Sequence, residues 1–80
     1  MKVLYFASLK ERLKIAEEEI RLERPVTVRE FLKKNLEPRL EGAKIENFLY
    51  AVNEDMVNVE YTLTDGDTLA ILPPLSGGKA

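Results

Sequence analysis

The stretch of this sequence best suited to chemistry is Pro73-Pro74-Leu75-Ser76-Gly77-Gly78, and its chemistry would be carried by the main chain. Two successive prolines cannot donate ladder hydrogen bonds, so a sheet must end there. They also stiffen the exit and aim the chain away from the domain. The two glycines have no side chains to obstruct a narrow channel. From Pro73 to Gly78 the extended reach is about 20 Å, at ~3.3 Å per residue. That is enough to place a glycine carbonyl inside a partner's active site. An ordinary frayed terminus has the same composition, so the tail by itself leaves both readings open.

Side chains offer less. The sequence has no histidine and no cysteine, so Ser8 and Ser76 have no base to activate them, and a thiolate metal site or a disulfide framework is excluded. Glu17-Glu18-Glu19 and Asp65/Asp67 could hold a cation only with more converging oxygens, and a solvated charge run and a turn are the simpler readings. No metal site is expected. Tyr5, Tyr50 and Tyr61 suit a core or a sheet face better than a stacking platform. No phosphate-binding or dinucleotide fingerprint is present.

The elements that must position the tail can be read from the apolar spacing. Eighty residues bound the chain to one domain with a modest core. Val3 to Phe6 reads as a strand, Ala7 to Lys14 as a short helix with Leu9 and Leu13 on one face, and Glu19 to Glu23 as a half-buried strand. Thr27 and Glu30 form a capping box, with Val26 and Phe31 placed as a hydrophobic staple. Val28, Phe31, Leu32 and Leu36 make the apolar stripe of the main helix, Arg29, Lys33 and Lys34 face water, and Pro38 and Gly42 close it. Phe48 to Val52 and Met56 to Val59 flank a turn at Asn53-Glu54-Asp55. Asp65-Gly66-Asp67 is a second turn, and Thr68 to Leu72 is the last strand. This order predicts an α+β fold with one main helix packed on one face of a mixed sheet.

The net charge of −2 disfavours nucleic-acid binding. No apolar run reaches the ~20 residues of a membrane span and no secretion signal is present, which points to the cytoplasm. The charged fraction of 32% and the lack of Cys, His, Gln and Trp lean towards a heat-adapted source.

Several segments, in order, resemble the MoaD/ThiS group of sulfur carriers. They are Val3-Leu4-Tyr5-Phe6-Ala7-Ser8-Leu9-Lys10-Glu11, Thr27-Val28-Arg29-Glu30-Phe31-Leu32, Ala51-Val52-Asn53-Glu54, Leu63-Thr64-Asp65-Gly66-Asp67 and the Pro73 to Gly78 exit. The early Phe-Ala-x-Leu-Lys-Glu stretch and the paired prolines favour the molybdopterin-synthase small-subunit branch over the thiamine branch. The resemblance implies a β-grasp (ubiquitin-like) domain over residues 1–74 and a flexible tail over 75–80. It implies a non-enzymatic carrier for molybdenum cofactor biosynthesis that binds no cofactor itself. An adenylating enzyme of the ubiquitin-activating type would use ATP to activate the Gly78 carboxylate, with Gly77 beside it. A sulfur donor would then leave a thiocarboxylate for delivery to the large synthase subunit. Phe6, Met56, Leu72, Pro73, Pro74, Leu75 and Ser76 would meet the partners.

One departure bears on this. Lys79-Ala80 follows Gly78, so the Gly78 carbonyl belongs to a resonance-stabilised amide with no oxygen free to attack ATP. A carrier requires removal of that dipeptide. A β-grasp binding module that never carries sulfur does not, and a thiamine-type or other ubiquitin-like carrier is a further alternative.

Overall fold

Thr68-Leu69-Ala70-Ile71-Leu72 is a short, almost wholly apolar run, the pattern of a strand inside a sheet. In the computed structural model, which describes residues 1–40 and 47–73, it is the central strand. The elements in chain order are β1 (Lys2–Tyr5), α1 (Ala7–Leu13), β2 (Glu17–Glu19), β3 (Val26–Thr27), α2 (Val28–Asn35), a 3-10 turn (Glu37–Arg39), β4 (Leu49–Val52), β5 (Asp55–Val57), β6 (Thr62–Leu63) and β7 (Thr68–Leu72). Five strands form one sheet in the order β2-β1-β7-β4-β5, and β3 and β6 form a separate small pair. β1 and β7 run parallel, while β1–β2, β4–β5 and β4–β7 are antiparallel. First and last strands side by side, with the main helix laid across one face, make this a β-grasp, ubiquitin-like α+β fold.

α2 forms where its capping box allows. The Thr27 hydroxyl accepts from the Glu30 N–H at 3.1 Å, and the Glu30 carboxylate accepts from the Thr27 N–H at 3.0 Å. Val28, Phe31 and Leu32 from α2 are buried, and so is Leu36 at its end. With Met1, Val3, Tyr5, Leu9, Leu40, Tyr50, Val52, Leu63, Leu69 and Ile71 they make the core. Helical bonding ends at Leu36, whose N–H donates to the Leu32 carbonyl, and a 3-10 turn that opens at Glu37 with Pro38 in its first positions follows. Pro38 has no N–H to continue the helical ladder. Gly42 lies outside the described residues. Arg29 does not simply face water. It is half-buried, and its Nη2 pairs with Glu60 at 3.1 Å.

The second strand sits earlier than its apolar alternation suggests, at Glu17–Glu19 rather than over 19–23. The ladder with β1 sets Lys2 opposite Glu19 and Leu4 opposite Glu17. Ile20 and Leu22 still pack on the core, but from irregular backbone. The Ile20 N–H donates to the Met1 carbonyl, and the Leu22 N–H donates to Asp65. The β4–β5 connection is tighter than the three residues expected. Asn53 and Glu54 have φ of 52° and 76°, and Asp55 already pairs with Val52. Two central residues at positive φ match the twist of the flanking strands. Tyr5 and Tyr50 are core residues, whereas Tyr61 is exposed.

Two polar clusters tie these elements together. The Tyr5 hydroxyl donates to the Glu18 carboxylate, and Arg39 Nη2 donates to Glu18 at 2.5 Å and to the Tyr5 oxygen at 3.0 Å. The hydrogen bond from Arg39 holds the Glu18 carboxyl below its ordinary pKa. Burial, reinforced by Glu18, pushes the Tyr5 phenol up. At the second cluster, Asp67 accepts from the Thr64 N–H at 2.9 Å and from Asn53 Nδ2 at 3.0 Å. Its pKa is lowered, first by the Thr64 N–H, and that of Asp65 is lowered first by the Leu22 N–H.

Carboxyls depressed in the folded state contribute stability that is present above their unfolded pKa and lost as pH falls through the folded one. With no histidine to titrate, Tm is expected to stay flat between about pH 6 and 8 and to fall below roughly pH 4. Asp67→Asn should lower Tm at pH 7 and shrink the acid-induced drop. An equal loss at pH 7 and at pH 3 would show that the Asp67 charge is not what stabilises the turn.

Candidate functional site: the open sheet face and the exit of the last strand

Side chains alternate along strands. On β7, Leu69 and Ile71 are completely buried towards α2, so Ala70 and Leu72 point to the other side. Register then assembles that open face strand by strand. Leu4 on β1 lies opposite Ala70, Ala70 opposite Ala51 on β4, and Ala51 opposite Met56 on β5. Nearer the C-terminal end of β7, Leu72 lies opposite Leu49. Phe6 follows β1 at that same end, because β1 and β7 run parallel.

The face is apolar and uncovered. Phe6 is 42% exposed, Leu49 41% and Met56 63%, while Leu4, Ala70 and Leu72 are half-buried. A shallow groove of about 550 Å³ runs over it, lined by Leu4, Phe6, Ala51, Asn53, Glu54, Thr68 and Ala70. Isolated exposed apolar residues are ordinary, but a contiguous apolar patch on a small protein marks an interaction surface.

Phe6, Met56 and Leu72, singled out from the sequence, therefore share this face. Phe6 and Leu72 stand at the exit end, and Met56 lies on the far edge strand. Pro73 is half-buried where the main chain leaves the central strand. Pro74, Leu75, Ser76, Gly77 and Gly78 lie outside the described residues. Alternation along β1 and β7 already groups Leu4 with Phe6 and Ala70 with Leu72, whereas Leu49 and Ala51 were missed. Leu49 was obscured because alternation within Leu49–Val52 shows a face only once Tyr50 and Val52 are known to be buried.

Other candidates are engaged structurally. Asp65 accepts from the Leu22 N–H and the Met1 ammonium, Asp67 accepts from the Thr64 N–H and the Asn53 amide, and Glu17–Glu19 form the edge strand β2. Among the described residues, no group of three His, Cys, Asp or Glu could hold a metal ion, and no helix is long and apolar enough to cross a membrane. A second hollow of about 500 Å³ lies between residues 20–26 and α2, with Arg21, Glu23, Arg24, Glu30 and Lys34 giving it mixed charge.

Comparison with known proteins agrees with this fold. The family model described as the ThiS family matches residues 3–78, nearly the whole chain. The chain belongs to the ThiS family. This family member is 33% identical, over 98% of its own length and 99% of the relative's, to the molybdopterin synthase sulfur carrier subunit of Escherichia coli. Among solved structures it resembles small archaeal modifier protein 1 of Haloferax volcanii, with a TM-score of 0.77, 25% identity and 98% of each chain covered. A candidate molybdopterin converting factor subunit 1 from Pyrococcus furiosus gives a TM-score of 0.68 at 30% identity, covering 92% of this chain and 95% of that one. Small archaeal modifier protein 1 of Methanosarcina acetivorans gives 0.62 at 27% identity, covering 96% and 94%.

Proposed function

We propose that this ThiS-family chain is a cytoplasmic sulfur carrier, the small subunit of a molybdopterin synthase, and that it carries sulfur as a thiocarboxylate on Gly78. The observation that supports this most is the near full-length identity to a sulfur carrier subunit, joined to a family match that ends on the second glycine, Gly78. In this reading residues 1–74 are the docking domain and residues 75–80 the tail. Whatever follows Gly78 is removed first, because an amide has no oxygen free to attack ATP. The freed carboxylate attacks the α-phosphorus of ATP on an adenylating enzyme, and pyrophosphate leaves. Sulfur from a donor then replaces AMP on the acyl carbon. Catalytic side chains belong to the partners, which fits a chain with neither histidine nor cysteine.

Phe6, Met56 and Leu72 are the docking residues for the adenylating enzyme and for the large synthase subunit. Pro73, Pro74, Leu75 and Ser76 thread the partner's channel. The protein purified from its own cells is expected to lack Lys79-Ala80 and to contain a fraction heavier by the exchange of one oxygen for sulfur. Intact mass spectrometry reads both. A cellular protein that retains Lys79-Ala80 in full would overturn the carrier reading.

The likeness to archaeal small modifier proteins favours a second reading, in which the same activated glycine is joined to amino groups of other proteins. Conjugates of higher mass carrying this chain through Gly78 would distinguish it.

A further inference from the structure

The open face has a floor and a charged rim that together specify the surface it takes. Alanine is depleted in strands because it packs little. Yet Ala51 and Ala70 face each other across the two strands β4 and β7, between Leu4 on one side and Met56 on the other. The two small side chains leave the groove open at its centre, with Phe6 at one end and Asn53 and Glu54 at the other. Acids outnumber cations around it. Glu17 and Glu19 are exposed on the β2 side, opposite Leu4 and Lys2, and Glu54 is exposed at the hairpin tip. Lys2 stands against Glu19, which also lies 3.4 Å from the Met1 ammonium, so Glu17 and Glu54 carry the charge of the rim.

We infer that the partner surface seated here presents a bulky apolar side chain framed by lysine or arginine side chains, and that Ala51 and Ala70 are the residues that admit it. This rests on the open face being the docking face proposed above, and it names the chemistry of the partner. A knob entering a desolvated pocket supplies affinity, whereas rim charges steer encounter and raise the association rate. A second copy of this chain fits poorly, because a two-fold contact would set the acidic rim against itself.

The test uses binding kinetics of the chain on two immobilised probes, the large synthase subunit and the adenylating enzyme from the same source. Glu17→Lys with Glu54→Lys is expected to slow association about tenfold at low salt and to flatten its salt dependence. Ala70→Leu and Ala51→Leu, made separately, should each melt within a few degrees of the parent and lose roughly tenfold to a hundredfold in affinity, mostly through faster dissociation. The charge variant changes only exposed positions, so it keeps the inference testable where a leucine variant does not fold. Leu72→Arg is the control for the face. If it abolishes binding while the charge and leucine variants bind as the parent does, the inference fails and the docking face stands. If Leu72→Arg also binds normally, the docking reading itself fails. A concentration-dependent dimer in sedimentation that Ala70→Leu dissociates would make a second copy the occupant and overturn the inference.

Discussion

Ile71→Arg is expected to leave the protein unfolded, while Leu72→Arg, one residue further along the same strand, should melt within a few degrees of the parent and lose partner binding. Ile71 is fully buried, with Tyr5 of β1 and Tyr50 of β4 as its ladder partners, and belongs to the core beneath α2. No buried acid is present among the described residues to pair with a guanidinium there. An unpaired buried charge costs several kcal/mol, against a total stability of about 5–15 kcal/mol for a whole domain. At 80 residues this chain belongs towards the lower end of that range. Leu72 is half-buried and lies opposite Leu49 on the open face. An arginine there lays its aliphatic stem on the sheet and keeps its charge in water. Circular dichroism melts and binding to the large synthase subunit separate the outcomes. If both variants unfold, Leu72 belongs to the core. If Leu72→Arg binds normally, docking takes place elsewhere.

How much of this was legible in the sequence depends on the range of the interaction responsible. β7 was read with its true ends, because its apolar run and the Asp65-Gly66 turn are both local. The capping box is also local, spanning four residues, and Thr27 and Glu30 form it as expected. β2 was misplaced because Ile20 and Leu22 alternate as strand residues do, while the real strand is chosen by its ladder to β1 and carries three glutamates. The β3–β6 pair has two residues per strand, too few to show any period. Arg39, Glu18 and Tyr5 are far apart in sequence, so nothing local signals that they meet. The groove floor was invisible for a related reason. Ala51 and Ala70 are unremarkable until register sets them side by side. The face division itself was readable, since alternation along β1 and β7 already separates Phe6 and Leu72 from Tyr5 and Ile71.

Changing where the chain ends is expected to have the largest effect on activity with none on the fold. Three forms, ending at Ala80, Gly78 and Gly77, are incubated with the adenylating enzyme, ATP and a sulfur donor, and their masses are read. The form ending at Gly78 should gain sulfur in place of oxygen. In the form ending at Ala80 the Gly78 carbonyl is an amide and stays uncharged. Its own terminal carboxylate stands two residues further on, roughly 7 Å beyond the glycine position when extended. The form ending at Gly77 falls short by ~3.3 Å. Misplacing a reacting group by about 1 Å already costs on the order of a hundredfold in rate, so both forms should be charged at least that much more slowly. All three should melt together, because the described core stops at Ile71. Adding Leu72→Arg to the form ending at Gly78 separates docking from chemistry, since its carboxylate is intact while its docking face is not. That variant should remain folded and uncharged. Equal charging of the forms ending at Ala80 and Gly78 would show that Gly78 is not the reacting residue. Failure of the form ending at Gly78 with an enzyme active on another carrier would remove this chain from sulfur transfer altogether.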